Sequence, residues 1–187
     1  MSKMLNGIDI DQLLATVNAI KENPDIARFR FRSDTEWVNG GQSRSRIQGF
    51  FGAGTEDGSR KKPFIIESDE PPVLLGSNAG PNAVEAVLAS IGSCLAVGLV
   101  YNAAAQGIKV KSLRFTIEGD IDLHGFLGLS EEIRPGYQNI SVNYRINSDA
   151  PKEKIEELCE YVQRTSPVLD MIRNGLPVSI TLEELTK

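Results

Sequence analysis

The sequence predicts an α+β fold in which antiparallel sheet is packed against two substantial helices. Three observations predict it. Short segments alternate apolar and polar residues between 27 and 68. A long segment, 82–106, is apolar nearly all round and reads as a helix buried on most sides. Two further alternating segments, 110–121 and 140–146, are followed by an amphipathic stretch opened by Pro151.

The elements follow in order. Residues 9–22 read as a helix, because Ile10, Leu13, Leu14, Val17 and Ile20 recur at helical spacing. Asp9 and Gln12 have capping-box spacing, and Asn23-Pro24 stops the helix. The period then changes to two. Ala27-Arg28-Phe29-Arg30-Phe31-Arg32 places aromatics on one face and arginines on the other. Thr35–Val38 continues it, and Asn39-Gly40-Gly41 reads as a turn. Residues 43–51 and 62–68 are expected as strands joined by a turn-rich loop at 52–59, with Arg60-Lys61-Lys62 as a solvated tip.

In the long helix Val84, Val87, Leu88, Ile91, Leu95, Leu99 and Val100 occupy most of the circumference, and Gly107 terminates it. Gly92, Ser93, Ala96 and Gly98 leave room for a second backbone. After the strands at 110–121 and 140–146, joined by a Gly-rich connection at 125–136, Ile155, Leu158, Cys159 and Val162 share one face of the next helix. Ser166-Pro167 breaks it, 167–174 reads as a short extra helix, and Val178–Leu182 as a last strand. The expected organisation is an N-terminal helical arm, 1–24, and one domain, 25–187. That domain divides into a β unit, 25–76, and a helix–sheet unit, 77–187.

Composition narrows the function classes. The chain has 187 residues, 41% hydrophobic and 24% charged, with net charge −5. That balance suits a globular core and argues against a nucleic-acid surface. The nearest approach to a membrane span is 83–105, interrupted by Glu85, Ser90, Ser93 and Asn102, so none is expected. No basic-then-apolar leader opens the chain, and two cysteines make no disulfide framework, so a cytoplasmic protein with reduced thiols is expected. The single histidine, His124, supplies neither a zinc site with two distant cysteines nor an obvious base for a Cys–His hydrolase. No metal and no cofactor are expected.

Cys94 and Cys159 are the only thiols. A cysteine on an apolar helix commonly behaves as a small hydrophobe. To be reactive, Cys94 needs a cation brought from elsewhere, because it lies more than two turns from the start of its own helix. Arg28, Arg30, Arg32, Arg44 and Arg46 are the concentrated supply.

A set of motifs adds to this reading. It comprises Asp69-Glu70-Pro71-Pro72, Gly80-Pro81-Asn82-Ala83-Val84-Glu85 and Leu88-Ala89-Ser90-Ile91-Gly92-Ser93-Cys94-Leu95. Gly107-Ile108, Ser166-Pro167-Val168 and Leu176-Pro177-Val178-Ser179-Ile180 follow. Together they resemble the OsmC/Ohr family of thiol-dependent proteins over about residues 28–182. The resemblance implies an intertwined homodimer around two long central helices, with active sites where subunits meet. It also implies that a cysteine at the position of Cys94 attacks an organic hydroperoxide. A second cysteine directly before Pro-Val resolves the resulting sulfenic acid, and an arginine and a glutamate assist the first thiolate.

Here the chain departs from the pattern, because Ser166 precedes Pro167-Val168. Cys159 lies seven residues upstream, ~10 Å along a continuous helix, too far for a disulfide if Ser166 faces Cys94. Ser166 also suits a cap, with Pro167 at the first helical position. Glu85 lies about half a turn round the helix from Cys94 and has capping-box spacing with Asn82. The candidate site set is therefore Cys94, Cys159, Arg46, Arg44, Glu85 and Ser166. The leading expectation is a hydroperoxide reductase in which Cys94 is the attacking thiolate, regenerated by an external thiol. The alternatives are a non-catalytic dimeric module for a small apolar ligand, and a redox sensor forming a slow Cys94–Cys159 bond. The N-terminal helix is expected to cap the dimer.

Overall fold

The computed structural model describes residues 3–183. A small hairpin, β1 (Met4–Leu5) and β2 (Ile8–Asp9), leads into α1 (Ile10–Glu22). Asp9 caps α1 by accepting the Gln12 N–H at 3.1 Å, one half of the expected capping box. The hairpin turn is tied to the body of the protein by one side chain. Asn6 donates Nδ2–H to the Ile108 carbonyl and accepts the Val110 N–H, both at 2.9 Å.

The β unit holds more strands than the alternation predicts. β3 (Arg30–Phe31), β6 (Phe50–Gly52) and β7 (Thr55–Asp57) form one antiparallel sheet; β4 (Asp34–Asn39), β5 (Gln42–Ile47) and β8 (Phe64–Ser68) form another. The expected strand 43–51 is divided at Gln48-Gly49, and the expected loop 52–59 contains β7. The reason is the pair Ala53-Gly54, both at positive φ (50° and 81°), the backbone of a tight hairpin turn. Arg60 is not a free tip. It donates to the Gln48 carbonyl at 3.1 Å and lies 5.0 Å from the Phe50 ring centre and 5.3 Å from that of Phe64.

Asp69 organises the passage from this unit into the long helix. Its carboxylate is 2% exposed and accepts the Ser77 hydroxyl at 2.6 Å. It also accepts the N–H groups of Glu70, Ser77 and Ala79 at 2.8–3.0 Å. These bonds, the Ser77 hydroxyl first, hold its pKa far below the usual carboxylate range. A depressed carboxylate stabilises the fold above its unfolded pKa, and that stability is lost as pH falls through the folded one. Asp69→Asn is therefore expected to lower Tm by ~5 °C or more at neutral pH. The gap from wild type should narrow in strong acid, as thermal melts across pH will read. A gap that widened in acid would contradict the assignment.

α2 (Ala83–Ala105) opens with a complete capping box. Asn82 accepts the Glu85 N–H and Glu85 accepts the Asn82 N–H, each at 2.9 Å. Gly107, at φ 74°, ends it. By length and composition α2 is apolar enough to cross a bilayer, contrary to the sequence expectation. The interruptions are small polar residues a helix can carry, and Glu85 is spent on the cap. In this fold Ile91, Leu95, Leu99 and Ala103 face the core.

β9 (Val110–Asp120) and β10 (Asn139–Ser148) form a long antiparallel pair, with the short α3 (Leu123–Phe126) in their connection. α4 (Lys152–Thr165) and α5 (Pro167–Asn174) then pack back on α2. Pro151 stands one position before the first helical residue of α4. Gly98 permits the α2–α4 approach, since a Cβ there would come 2.8 Å from Val162 Cγ1. Leu158, Cys159, Val162 and Leu169 complete the core over Phe115, Ile117, Ile140 and Val142.

The expected last strand, Val178–Leu182, is not formed. Its alternating apolar residues are bare, Ile180 at 92% exposure, and a strand cannot exist without a neighbour to take its N–H and C=O groups. The β unit likewise leaves Phe31, Phe64 and Trp37 outward, the last 74% exposed.

Candidate thiol site

Cys94 is half-buried on α2, one position off the fully buried face. Its Sγ lies 3.2 Å from Ser166 Oγ. Ser166 follows the last turn of α4 with extended backbone (φ −73°, ψ 115°), so its side chain leaves the helical stripe and turns to α2. It is 4% exposed and caps α5 by accepting the Leu169 N–H at 3.3 Å. A hydroxyl that accepts from Leu169 still has its proton to give. A Cys94 thiolate can only accept, so in that state Ser166 donates to sulfur. The positive end of α5 therefore lies at Cys94, and such an end favours negative charge beside it. No spacing in the sequence reveals this, because α5 begins 73 residues after Cys94.

A cleft of about 470 Å³ opens beside the thiol. Val97, Gly98, Asn102, Val162, Thr165 and Pro167 line it with Cys94 and Ser166, and none of them is charged.

The other candidates lie elsewhere. Cys159 is 4% exposed and faces Tyr144 of β10. Burial pushes its thiol pKa up, and burial with the Cys159 neighbour pushes Tyr144 up to about 12. The two thiols line different cavities, because α4 ends at Thr165 and Ser166 leaves its helical path. Arg44 is not at Cys94. It donates Nε–H to Glu67 at 2.8 Å and lies 3.7 Å from Glu36. Arg46 lies 3.8 Å from the same Glu36. Cross-strand carboxylates, unweighed in the sequence reading, hold both. Glu85 belongs to the cap of α2. His124 is exposed and bonded to Asp122 through Nδ1 at 2.7 Å, away from the thiol. Among the described residues no cluster of His, Cys, Asp or Glu could hold a metal ion.

A protein-family model described as OsmC-like protein matches residues 76–181, more than half of the chain. The chain belongs to the OsmC-like protein family. Solved structures agree on the fold of this OsmC-like protein. An OsmC-like protein from Mycoplasma pneumoniae superposes with a TM-score of 0.60 at 14% identity, covering 78% of this chain and 89% of that one. An organic hydroperoxide resistance protein OsmC from Legionella pneumophila gives 0.55 at 15%, covering 78% and 90%. An organic hydroperoxide resistance protein from Elizabethkingia anophelis gives 0.52 at 17%, covering 78% and 89%. Comparison with curated protein sequences returns no match. The family match begins at residue 76, so Cys94, Cys159 and Ser166 fall within it while Arg44 and Arg46 precede it.

Proposed function

We propose that this OsmC-like protein is a thiol-dependent hydroperoxide reductase with Cys94 as the reacting thiolate. The observation that carries it is the Cys94 Sγ–Ser166 Oγ pair, at the N-terminus of α5 and open to a cleft. Cys94 sulfur attacks the outer oxygen of the hydroperoxide, and an S–O bond forms as the O–O bond breaks. The departing alkoxide takes a proton and leaves as an alcohol, and Cys94 becomes a sulfenic acid. A thiol of an external reductant then attacks that sulfur, releasing water and forming a mixed disulfide. A second thiol restores Cys94 and carries the two electrons away as a disulfide. Cys159, facing Tyr144, takes no part.

The uncharged cleft supports a substrate with an apolar organic group. It also means that a cation at Cys94 would come from a second subunit. A homodimer fits the bare aromatics of the β unit and the bare apolar segment at 178–182, both of which need a surface to cover.

The experiment is direct trapping. Native protein given one equivalent of cumene hydroperoxide in the presence of dimedone should carry the sulfenic adduct on the Cys94 peptide. Absence of the adduct, with the thiol still titrating as free, would sink the reading. The uncharged lining favours one second reading, a binding module for an apolar ligand, and that outcome would leave it standing.

A further inference from the structure

The helix–sheet interface holds a second cavity system, separate from the Cys94 cleft. Behind α4 and α5 lies a mostly enclosed chamber of about 140 Å³. Leu95, Leu99, Phe115, Val142 and Val162 give it a mainly apolar lining, with Cys159, Tyr144 and Gln163 at its wall. Protein interiors are close-packed, and an apolar void of this size in a core is a cost left standing unless something fills it. A cavity of ~150 Å³ with such a lining stays dry and takes up apolar molecules.

The chamber is not sealed. Val142, Leu169 and Arg173 line both it and an outer cleft of about 500 Å³. Val87, Ile91, Ile140 and Ile172 give that cleft apolar walls, and it is edged by Arg134 and Arg173. Among the described residues no acidic side chain lines either part. Among the described residues neither guanidinium enters an ion pair. An apolar chamber behind two uncompensated cations calls for one chemistry, an apolar tail with an anionic head.

We infer that this cavity system binds a medium-chain fatty-acid carboxylate, its tail along the apolar walls of the outer cleft and towards the chamber, its head at Arg134 and Arg173. The site shares only Val162 with the Cys94 cleft and requires no reaction at either thiol.

The test uses the full chain carrying Cys94→Ser, decanoate as the probe below its micellar range, and 1-decanol as the uncharged control. Calorimetric titration should show one decanoate per chain, with 1-decanol at least roughly tenfold weaker. Arg173→Gln and Arg134→Gln, both surface changes that leave the core alone, should each weaken decanoate by about tenfold. Val142→Phe, which adds bulk at the wall that chamber and cleft share, should abolish binding while the protein stays folded by circular dichroism. At decanoate roughly thirtyfold above its Kd, Tm should rise by roughly 3–6 °C. Equal affinity for decanol and decanoate, or no loss in the arginine variants, would overturn the inference. So would binding that appears only after deletion of 176–187, because the chain's own tail would then be the occupant. Peroxide consumption is not read here, so failure of the reductase reading and failure of this one are distinguishable.

Discussion

Cys94→Ser should abolish hydroperoxide consumption, with a fall of at least roughly a thousandfold, while Cys159→Ser should change the rate by no more than about twofold. The contrast follows from where the two sulfurs sit. Cys94 opens on a cleft, touches the cap hydroxyl of α5 and lies at that helix's positive end. Cys159 is 4% exposed, and burial raises its thiol pKa, so at neutral pH little thiolate is present and little solvent reaches it. Alkylation of native protein by iodoacetamide should follow the same order, with Cys94 labelled first. A Cys159→Ser protein as inactive as Cys94→Ser would show that the second thiol takes part and that α4 unwinds to deliver it.

Ser166→Cys should convert the site from one thiol to two. The introduced sulfur would start about 3 Å from Cys94 Sγ, and a disulfide needs about 2.05 Å, a closure of about 1 Å that side-chain rotation supplies. After one equivalent of hydroperoxide the variant should lose two hydrogens in intact mass, and dimedone trapping at Cys94 should fall by at least roughly tenfold. Wild type, whose neighbour at that position is a hydroxyl, should keep the trappable sulfenic acid. The variant should also lose about 1 kcal/mol of stability, because the cap to Leu169 N–H is weakened. Trapping at the wild-type level, with no internal disulfide, would show that the residue at 166 does not face Cys94 in solution.

Much of the helical framework was legible because its signals are local. The period of α1, the Asn82–Glu85 box, the stop at Gly107 and the Ser166-Pro167 cap each lie within a few residues, and each forms as its spacing predicts. The β unit was less legible. Alternation at 43–51 does not say where Gly49 interrupts pairing, and turn-rich composition at 52–59 hides a three-residue strand. The tail 178–182 alternates as a strand should, but pairing is decided by a neighbour, and none is provided among the described residues.

The site divides along the same line. Sequence by itself determined that Cys94 rides the long apolar helix, that Ser166 stands where the resembling pattern has a resolving cysteine, and that Glu85 has the spacing of a cap. Those are properties of residues a few positions apart, or of a motif read whole. The tertiary structure alone decided that Ser166 turns to Cys94, that Cys159 faces Tyr144, and that Arg44 and Arg46 are spent on Glu36 and Glu67. Each of these depends on where one element ends and which neighbour it meets. A hydroxyl and a sulfur 72 residues apart come within 3.2 Å only because α4 stops at Thr165 and α5 starts two residues later.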